Sequence, residues 1–348
     1  MLSNELEELM QDSVQHIEKD FYNKKFYFSY SSLNKLLWNP AVFYQLYILG
    51  MKEEKLDSYL VQGKVIHALL LEEERFNEQF LVSPANLPTG NPRIVIDRVY
   101  SQFMSHKDSY DSLGVEELTQ LQDEILDAMK AMNYHQSLKT DQQRLDKMIT
   151  EESKNYWTFL KAKGRRVLID QETYSFCMNA VELVKSNPSV CKLLGQDLTD
   201  FDNKEVINEY PFQLDMDKRN FGIKGIIDNI VIDHDQKIVF VNDVKTTSKD
   251  LKDFADSVEY YAYWLQAAIY LCAAGMMYKD LLENQGYILR FHFVVIDQAF
   301  QTYAFPIKDE TMSKWIDRLE ETIDIAEWHY TNRSFELPYQ FAKGLAAL

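Results

Sequence analysis

Hydrophobic and polar positions follow a strand pattern in the C-terminal half of the chain. Between 222 and 247, two segments rich in Ile, Val and Phe flank a short polar turn, which is typical of a hairpin. The order of three strands, helix, two strands and helix predicts an α/β (mixed α+β) fold, with a central mixed sheet flanked by helices. We expect strands at 205–214, 221–232, 237–245, 287–296 and 301–306, and helices at 256–277 and 309–330.

The N-terminal half shows mainly helical spacing. Pro40 divides two short helices within 29–50, and a helix over 58–74 places Gly63 and His67 on the same side. Turn-forming residues at 83–92 predict a loop, and further helical patterns cover 115–132, 141–163 and 171–186. The predicted organisation is an acidic leader (1–28), N-terminal helices (29–98), a helical insertion (99–166), a core of sheet and helices (167–335) and a tail (336–348).

Each apolar strand of the hairpin carries an acid where a buried strand would favour a hydrophobe. These acids are Asp228 in the first strand and Asp243 in the second. Buried carboxylates are costly unless they are paired, hydrogen-bonded or bound to metal. Because strand side chains alternate between faces, Asp243 and Lys245 should point to the same side. Two acids and a lysine are therefore expected to converge.

Two carboxylates on neighbouring strands suit a hard divalent cation such as Mg²⁺ or Mn²⁺. The carbonyl of Val244 could supply another ligand, and a nearby ammonium could orient a water molecule and offset phosphate charge. Such a set suits phosphodiester hydrolysis. The acid-any-Lys pattern occurs six times, however, and an ordinary salt bridge at a strand end is the alternative.

The helix after the hairpin carries a second group of polar and aromatic residues. Gln266 and Tyr270 are four residues apart on one face, and tyrosines at 260, 261 and 263 precede them. These side chains could bind phosphates or stack on unpaired bases. The alternative is that they are ordinary core and surface residues, as His67 could be a core histidine.

Charge, cysteine content and hydropathy bear on the expected partners and compartment of the protein. The formal net charge of −17 argues against nonspecific affinity for nucleic acid, which usually depends on Lys and Arg. The three cysteines are widely spaced and form no CxxC pair, so no disulfide framework, zinc site or iron-sulfur cluster is indicated. The leader is acidic and amphipathic, and no segment is long and apolar enough to span a membrane. We expect a cytoplasmic protein without a membrane partner.

Several motifs in series resemble the PD-(D/E)xK nuclease superfamily, and within it the RecB-like branch that contains the exonuclease VIII (RecE) type. SYSSLNKLLWNPAVFY is similar to the family's S-x-S-x-L…P-x-x-F segment, and GKVIH is similar to its Gly-x-x-x-His motif. NEYPF, GIID, NDVKTT, QAAIY and FHFVVID resemble the motifs that follow, in the family's order. The matched segments run from about 29 to 297, with 99–166 outside them. The resemblance implies a restriction-endonuclease-like core.

The resemblance also implies roles for individual residues. His67, Asp228 and Asp243 would bind Mg²⁺ or Mn²⁺, to which the Val244 carbonyl is the further ligand expected above, and Lys245 would be the catalytic lysine. Glu209, in NEYPF, is placed with the catalytic acids, although it could order the site rather than bind metal. The expected substrate-binding residues are Gln266, Tyr270, Tyr261 and Thr246.

One departure from the family concerns iron. Several relatives carry a cluster-binding cysteine before the proline of the first motif, whereas Asn39 precedes Pro40 here. We therefore expect no iron-sulfur cluster, and a stand-alone exonuclease that acts on linear duplex or single-stranded DNA ends in recombination or repair. A homo-oligomer and a single-strand annealing or recombination partner are further expectations. The alternatives are an inactive nuclease fold that serves as an interaction protein or acidic DNA mimic, and a structure-specific endonuclease.

Overall fold

The architecture described below is that of a computed structural model. The structure describes residues 15–51, 58–84, 86–164, 166–196 and 203–346, and excludes the side chains at 58 and 59. The first half of the predicted leader, residues 1–14, lies outside the described residues, as do 347 and 348 of the predicted tail. Two compact units are present, one of Met1–Glu72 with Asn179–Leu348 and the other of Glu73–Met178. The predicted insertion at 99–166 falls within the second unit.

Eight strands occur in the described parts of the chain. They are β1 (Phe26–Phe28), β2 (Phe80–Val82), β3 (Val167–Ile169), β4 (Lys204–Asp215), β5 (Phe221–Asp233), β6 (Ile238–Thr246), β7 (Ile288–Ile296) and β8 (Thr302–Pro306).

Helices account for most of the remaining described residues. They are α1 (residues 15–22), α2 (Tyr30–Trp38), α3 (Pro40–Phe43), α4 (Ser58–Leu71), α5 (Phe76–Gln79), α6 (Asn91–Ser105), α7 (Lys107–Ser112), α8 (Gln122–Ala131), α9 (Asp141–Met148), α10 (Glu151–Lys163), α11 (Gln171–Lys185), α12 (Pro188–Leu193), α13 (Phe254–Tyr260), α14 (Tyr263–Met277), α15 (Lys279–Asn284), α16 (Asp309–Asn332) and α17 (Tyr339–Ala342).

The first unit is built on a mixed sheet of six strands. Its order is β1-β5-β6-β7-β8, and β4 pairs with β5. Strand β5 pairs antiparallel with β4 and β6 and parallel with β1, while β6 runs parallel to β7. The predicted mixed sheet flanked by helices is therefore confirmed, with the predicted hairpin of β5 and β6 inside it.

Helices pack against this sheet because its strands bury long β-branched and aromatic runs. Helix α14 contacts β6, β7, α2 and α16, and its apolar side chains join the main core of the unit. Helix α4 contacts β5 and β6. The hydrophobic core of the second unit lies among α6, α8, α9 and α10, which supply Val95, Ile125, Leu145 and Trp157.

The structure differs from the sequence prediction at several element boundaries. The helix expected over 256–277 is two helices, because Ala262 adopts a left-handed conformation with φ +54°. The run over 141–163 is also divided, since Thr150 caps a new helix with its side chain. The pattern did not predict the three-residue strands β1, β2 and β3. Within the described residues, no helix combines the length and the apolar character that a membrane span requires.

Candidate active site

The candidate site lies where β5 and β6 separate. Their pairing runs from Asp233↔Ile238 to Asn229↔Asn242 and stops before the two predicted acids. Beyond this point, the side chain of Asp228 replaces the strand pairing: its Oδ2 accepts a hydrogen bond from the Val244 N–H at 2.8 Å. The carboxylate is thereby fixed at the opening between the strands.

Helix α4 delivers His67 to this opening. The helix can approach β6 because residue 63 is glycine: a Cβ there would lie 3.1 Å from Thr246 Oγ1. One turn further along, His67 Nε2 lies 2.7 Å from the carbonyl oxygen of Val244. Its other nitrogen, Nδ1, lies 3.7 Å from Asp228 Oδ2 and 3.7 Å from Glu209 Oε1. The imidazole is thus held between a carbonyl and two carboxylates.

Glu209 reaches the site from β4 through an unusual backbone conformation. It has φ +47°, and it is omitted from the otherwise continuous pairing in which Asn208↔Asn229 is followed by Tyr210↔Ile227. A left-handed conformation costs a non-glycine residue about 1–2 kcal/mol. Such strain in the middle of a strand is typical of functional sites.

His67, Glu209 and Asp228 form a group that fits a divalent cation. One ligand atom from each lies within 4.8 Å of the others. Ligands about 2.1 Å from a small octahedral cation are roughly 3 to 4.2 Å apart, so the 3.7 Å separations fit without backbone movement. At the other nitrogen of the ring, the 2.7 Å distance from His67 Nε2 to the Val244 carbonyl suits a hydrogen bond donated by Nε2.

The electrostatics at His67 also favour a bound cation. Burial alone would lower the pKa of His67, but the carboxylates of Asp228 and Glu209 outweigh it and raise the pKa to about 9. The acids therefore favour a positive charge between them. A metal cation would supply that charge with neutral imidazole as its ligand, and its binding would displace a proton.

Asp243 and Lys245 form a buried ion pair beside this group. The Lys245 ammonium contacts Asp243 Oδ2, and the carboxylate is completely buried. Burial raises the pKa of Asp243, while Lys245 opposes that rise. For Lys245, burial lowers the pKa, but the charges of Asp243 and Asp228 more than compensate and the pKa is raised. Apart from this ion pair, neither oxygen of Asp243 has a hydrogen-bond partner among the described residues, which leaves Oδ1 available to a cation.

A row of polar side chains on the other face of the sheet holds the strands in register. Asn208, Asn229 and Asn242 are paired across β4, β5 and β6, and their amides are linked by two hydrogen bonds of 2.7 Å. They also donate to carbonyls at the ends of α4 and α12, including those of Leu71 and Leu193. We call these three residues the asparagine ladder.

Each residue of the asparagine ladder is the sequence neighbour of a predicted acid. Asn208 precedes Glu209, Asn229 follows Asp228, and Asn242 precedes Asp243. Because side chains alternate along strands, fixing the amides on one face places the acids at the same level on the other. The sequence prediction missed this ladder, although an asparagine beside each acid in an apolar strand was an available signal.

A groove of about 680 Å³ leads to the acids. Asp228 lines the groove, and the other lining residues include Ser29, Tyr30, Lys224, Gln266 and Tyr270. The predicted substrate residues Gln266 and Tyr270 are therefore close to the acids. Gln266 Nε2 donates to the Tyr270 hydroxyl at 2.8 Å, and burial raises the pKa of Tyr270 well above its usual value.

The other two predicted substrate residues do not line this groove. Thr246 lies against Gly63 of α4, at the end of β6. Tyr261 is on the surface between α13 and α14, and its ring stacks on Tyr263, which in turn lies near Lys245. The structure thus places Tyr261 one aromatic ring away from the catalytic lysine proposed from the sequence.

Known proteins resemble this chain to different degrees. No curated protein matches the chain. A solved structure from Eubacterium rectale, described as a "Putative exonuclease", is similar over 92% of this chain and 89% of its own, with 11% identity and a TM-score of 0.39. The sequence profile of the PD-(D/E)XK nuclease superfamily matches residues 27–337, which include every residue of the candidate site. The chain therefore belongs to the PD-(D/E)XK nuclease superfamily.

Proposed function

We propose that this protein is a metal-dependent deoxyribonuclease that hydrolyses phosphodiesters at DNA ends. The observation that carries this proposal is the buried Asp243–Lys245 pair beside His67, Glu209 and Asp228. An ordinary strand-end salt bridge has no need of three further ligating side chains around it. The series of motifs supports an exonuclease of the RecE type within the RecB-like branch.

We assign the metal to the opening between β5 and β6. His67 and Asp228 would hold Mg²⁺ or Mn²⁺, and Glu209 is the third member of the group that fits the ion. Asp243 and the carbonyl of Val244 are proposed as further ligands. Such ions prefer oxygen ligands and accept phosphate oxygens. A bound ion would supply Lewis-acid stabilisation and activation of water.

The chain's own residues perform the remaining tasks. Lys245 has three donors and a charge held in place by Asp243, so it can hydrogen-bond the attacking water or a phosphate oxygen. Gln266 and Tyr270 present amide and hydroxyl groups to the groove and can position the DNA backbone. Asp228 holds the main chain of β6 through Val244, which keeps the Asp243 side chain beside the opening.

The sharpest test compares linear and circular substrates. The purified protein is incubated with end-labelled linear duplex, single-stranded DNA and closed circular duplex, each with Mg²⁺ and with a chelator. We expect metal-dependent degradation of linear DNA and no cleavage of the circle. Cutting of the circle would identify an endonuclease. A lack of degradation together with a lack of Mn²⁺ binding by calorimetry would support an inactive interaction protein.

The RecE-type proposal extends to assembly and partners. Related enzymes form rings around DNA, so we propose a homo-oligomer that acts with a single-strand annealing or recombination protein. Light scattering of the purified protein tests the first point, and a strictly monomeric mass at working concentration would contradict it. Co-purification with a tagged annealing protein from the same genome tests the second.

A further inference from the structure

Two tyrosines at the junction of α13 and α14 are exposed in a way that core packing does not explain. Tyr260 is 79% exposed and Tyr261 is 45% exposed. The Tyr261 ring stacks on Tyr263, with centroids 5.4 Å apart and planes inclined by 28°. Tyr260 meets Tyr261 edge-on, with centroids 4.9 Å apart. Together they present aromatic surface to solvent at the end of an ordered stack.

The backbone beneath these rings is held in a strained conformation. Ala262 has φ +54°, which is uncommon outside glycine and interrupts what would otherwise be one helix. Two side chains of α2 fix the turn: the Tyr30 hydroxyl and Asn34 Nδ2 both donate to the Tyr261 carbonyl, at 2.5 and 3.1 Å. The exposed rings are therefore pre-positioned, so binding a ligand costs little additional conformational entropy.

The stack points from solvent towards the catalytic group. Lys245 Nζ lies 5.1 Å from the centroid of the Tyr263 ring, and Tyr263 separates it from Tyr261. On the other side, Tyr30 both lines the groove that reaches Asp228 and donates to Tyr261. A nucleotide whose phosphate lies beside Lys245 would place its neighbours near these rings.

The chemistry of the exposed surface favours a base over a phosphate. The rings are uncharged, and the Lys249 ammonium, 5.9 Å from the Tyr260 centroid, is the cation nearest to them for which the described residues show a ring contact. Aromatic side chains bind bases of every sequence by stacking, worth about 1–3 kcal/mol per base. A base inside a duplex has both faces covered by its neighbours, and a paired base at a blunt end exposes only its outer face. An unpaired base exposes both faces and can rotate to meet the rings, so it uses this surface best.

We propose that Tyr260 and Tyr261 form a stacking platform for an unpaired base close to the scissile phosphate. This proposal rests on the proposed nuclease function. The platform would select DNA ends that are single-stranded or frayed over blunt, fully paired ends. It would also make cleavage tolerant of sequence, because every base offers a stacking face.

A double-mutant cycle tests this proposal: the tyrosine ring is removed from the protein and the base is removed from the DNA, each separately and both together. Single-stranded oligonucleotides carry one abasic residue at successive positions around the cleaved bond, and kcat/KM is measured for the wild type and Tyr261→Ala. On intact DNA we expect Tyr261→Ala to reduce kcat/KM roughly 5- to 150-fold, which corresponds to the loss of one stacked base. At one or two abasic positions the same substitution should have almost no further effect.

Matched variants separate stacking from structural damage. Tyr261→Phe keeps the ring and should recover most of the kcat/KM that Tyr261→Ala loses on intact DNA. Tyr303→Ala removes an exposed tyrosine, 53% exposed, from β8 and should behave like the wild type. An equal loss for Tyr261→Ala on intact and abasic DNA at every position would overturn the platform while leaving the nuclease intact. A wild-type protein that cleaves no DNA with Mg²⁺ or Mn²⁺ would overturn the proposed function and, with it, the platform.

Discussion

Asp228 and Val244 are joined by a hydrogen bond of 2.8 Å from a main-chain N–H to a carboxylate oxygen, at the point where two paired strands separate. The bond gives Asp228 two tasks, since it satisfies a buried amide of β6 and presents its charge to His67. This explains why an acid is tolerated in an apolar strand. It also means that the two tasks can be separated by mutation.

Asp228→Asn should keep the hydrogen bond to the Val244 N–H and lose the negative charge that faces His67. Its side-chain oxygen can still accept from the Val244 N–H, whereas Asp228→Ala leaves that buried amide unpaired at a cost of about 1–3 kcal/mol. We expect urea denaturation to show near wild-type stability for the asparagine variant and a clear loss for the alanine variant. Calorimetry should show weakened Mn²⁺ binding in both. Equal stability of the two variants would disprove the structural task.

The close approach of α4 to β6 makes a prediction about Gly63. An added Cβ would lie 3.1 Å from Thr246 Oγ1, so Gly63→Ala should displace the helix that carries His67. We expect Mn²⁺ affinity to fall several-fold. Gly275→Ala is the matched control, because a Cβ there meets nothing within 4 Å among the described residues. It should raise the free energy of unfolding by about 0.5–1 kcal/mol through helix propensity and leave metal binding unchanged. Unchanged metal affinity in Gly63→Ala would contradict the account of this contact.

The asparagine ladder should be sensitive to truncation at its buried end. Asn242 is completely buried and donates to Asn229 and to the Leu193 carbonyl. Asn242→Ala leaves both acceptors without this donor and opens a small cavity, so we expect a loss of about 2–3 kcal/mol in chemical denaturation. Asn284→Ala, at an exposed helical position, should change stability by about 0.5 kcal/mol or less. Similar losses for the two variants would show that the ladder contributes no special stability.

His292 predicts how stability depends on pH. Burial lowers the pKa of this histidine to about 4, with a smaller contribution from Arg290. Between pH 6.5 and 4 the unfolded chain therefore binds a proton that the folded protein excludes, so stability falls as the pH falls. Above pH 6.5 this effect is absent and the full free energy of unfolding remains. By pH 4 the difference in proton binding lowers the free energy of unfolding by an amount on the order of 3 kcal/mol.

The measurement is urea denaturation across this pH range for the wild type and His292→Gln. We expect the variant to show a shallower decline below pH 6.5, because it lacks the titrating group. His16→Gln is the control, since that imidazole is largely exposed. A decline of the same steepness in His292→Gln would contradict the assignment to this residue.

The sequence was most informative where the chain forms long, buried strands. Runs of Ile, Val and Phe in β5, β6 and β7 specify strands strongly, and the predicted boundaries differ from the structure by at most one residue. The short strands β1 to β3 were missed because three residues carry too little periodicity to distinguish them from loops.

Two features of the site could not be read from residue patterns. No glycine or proline marks the break at Ala262, which exists because α2 holds the Tyr261 carbonyl from outside the helix. Likewise, an asparagine beside each acid is visible in the sequence, but the hydrogen bonds that link the three side chains depend on the strand register. Both features depend on contacts between segments that are distant in sequence.

The proposed chemistry depends most directly on Asp243 and Lys245. Metal-dependent degradation of end-labelled linear DNA is measured for the wild type, Asp243→Ala, Lys245→Ala and the exposed control Lys279→Ala, with thermal unfolding as the check on folding. We predict that Asp243→Ala and Lys245→Ala remain folded but lose degradation by at least about 100-fold, the scale of losing one electrostatic catalytic group, while Lys279→Ala keeps it. Full activity in folded Asp243→Ala or Lys245→Ala would contradict the account.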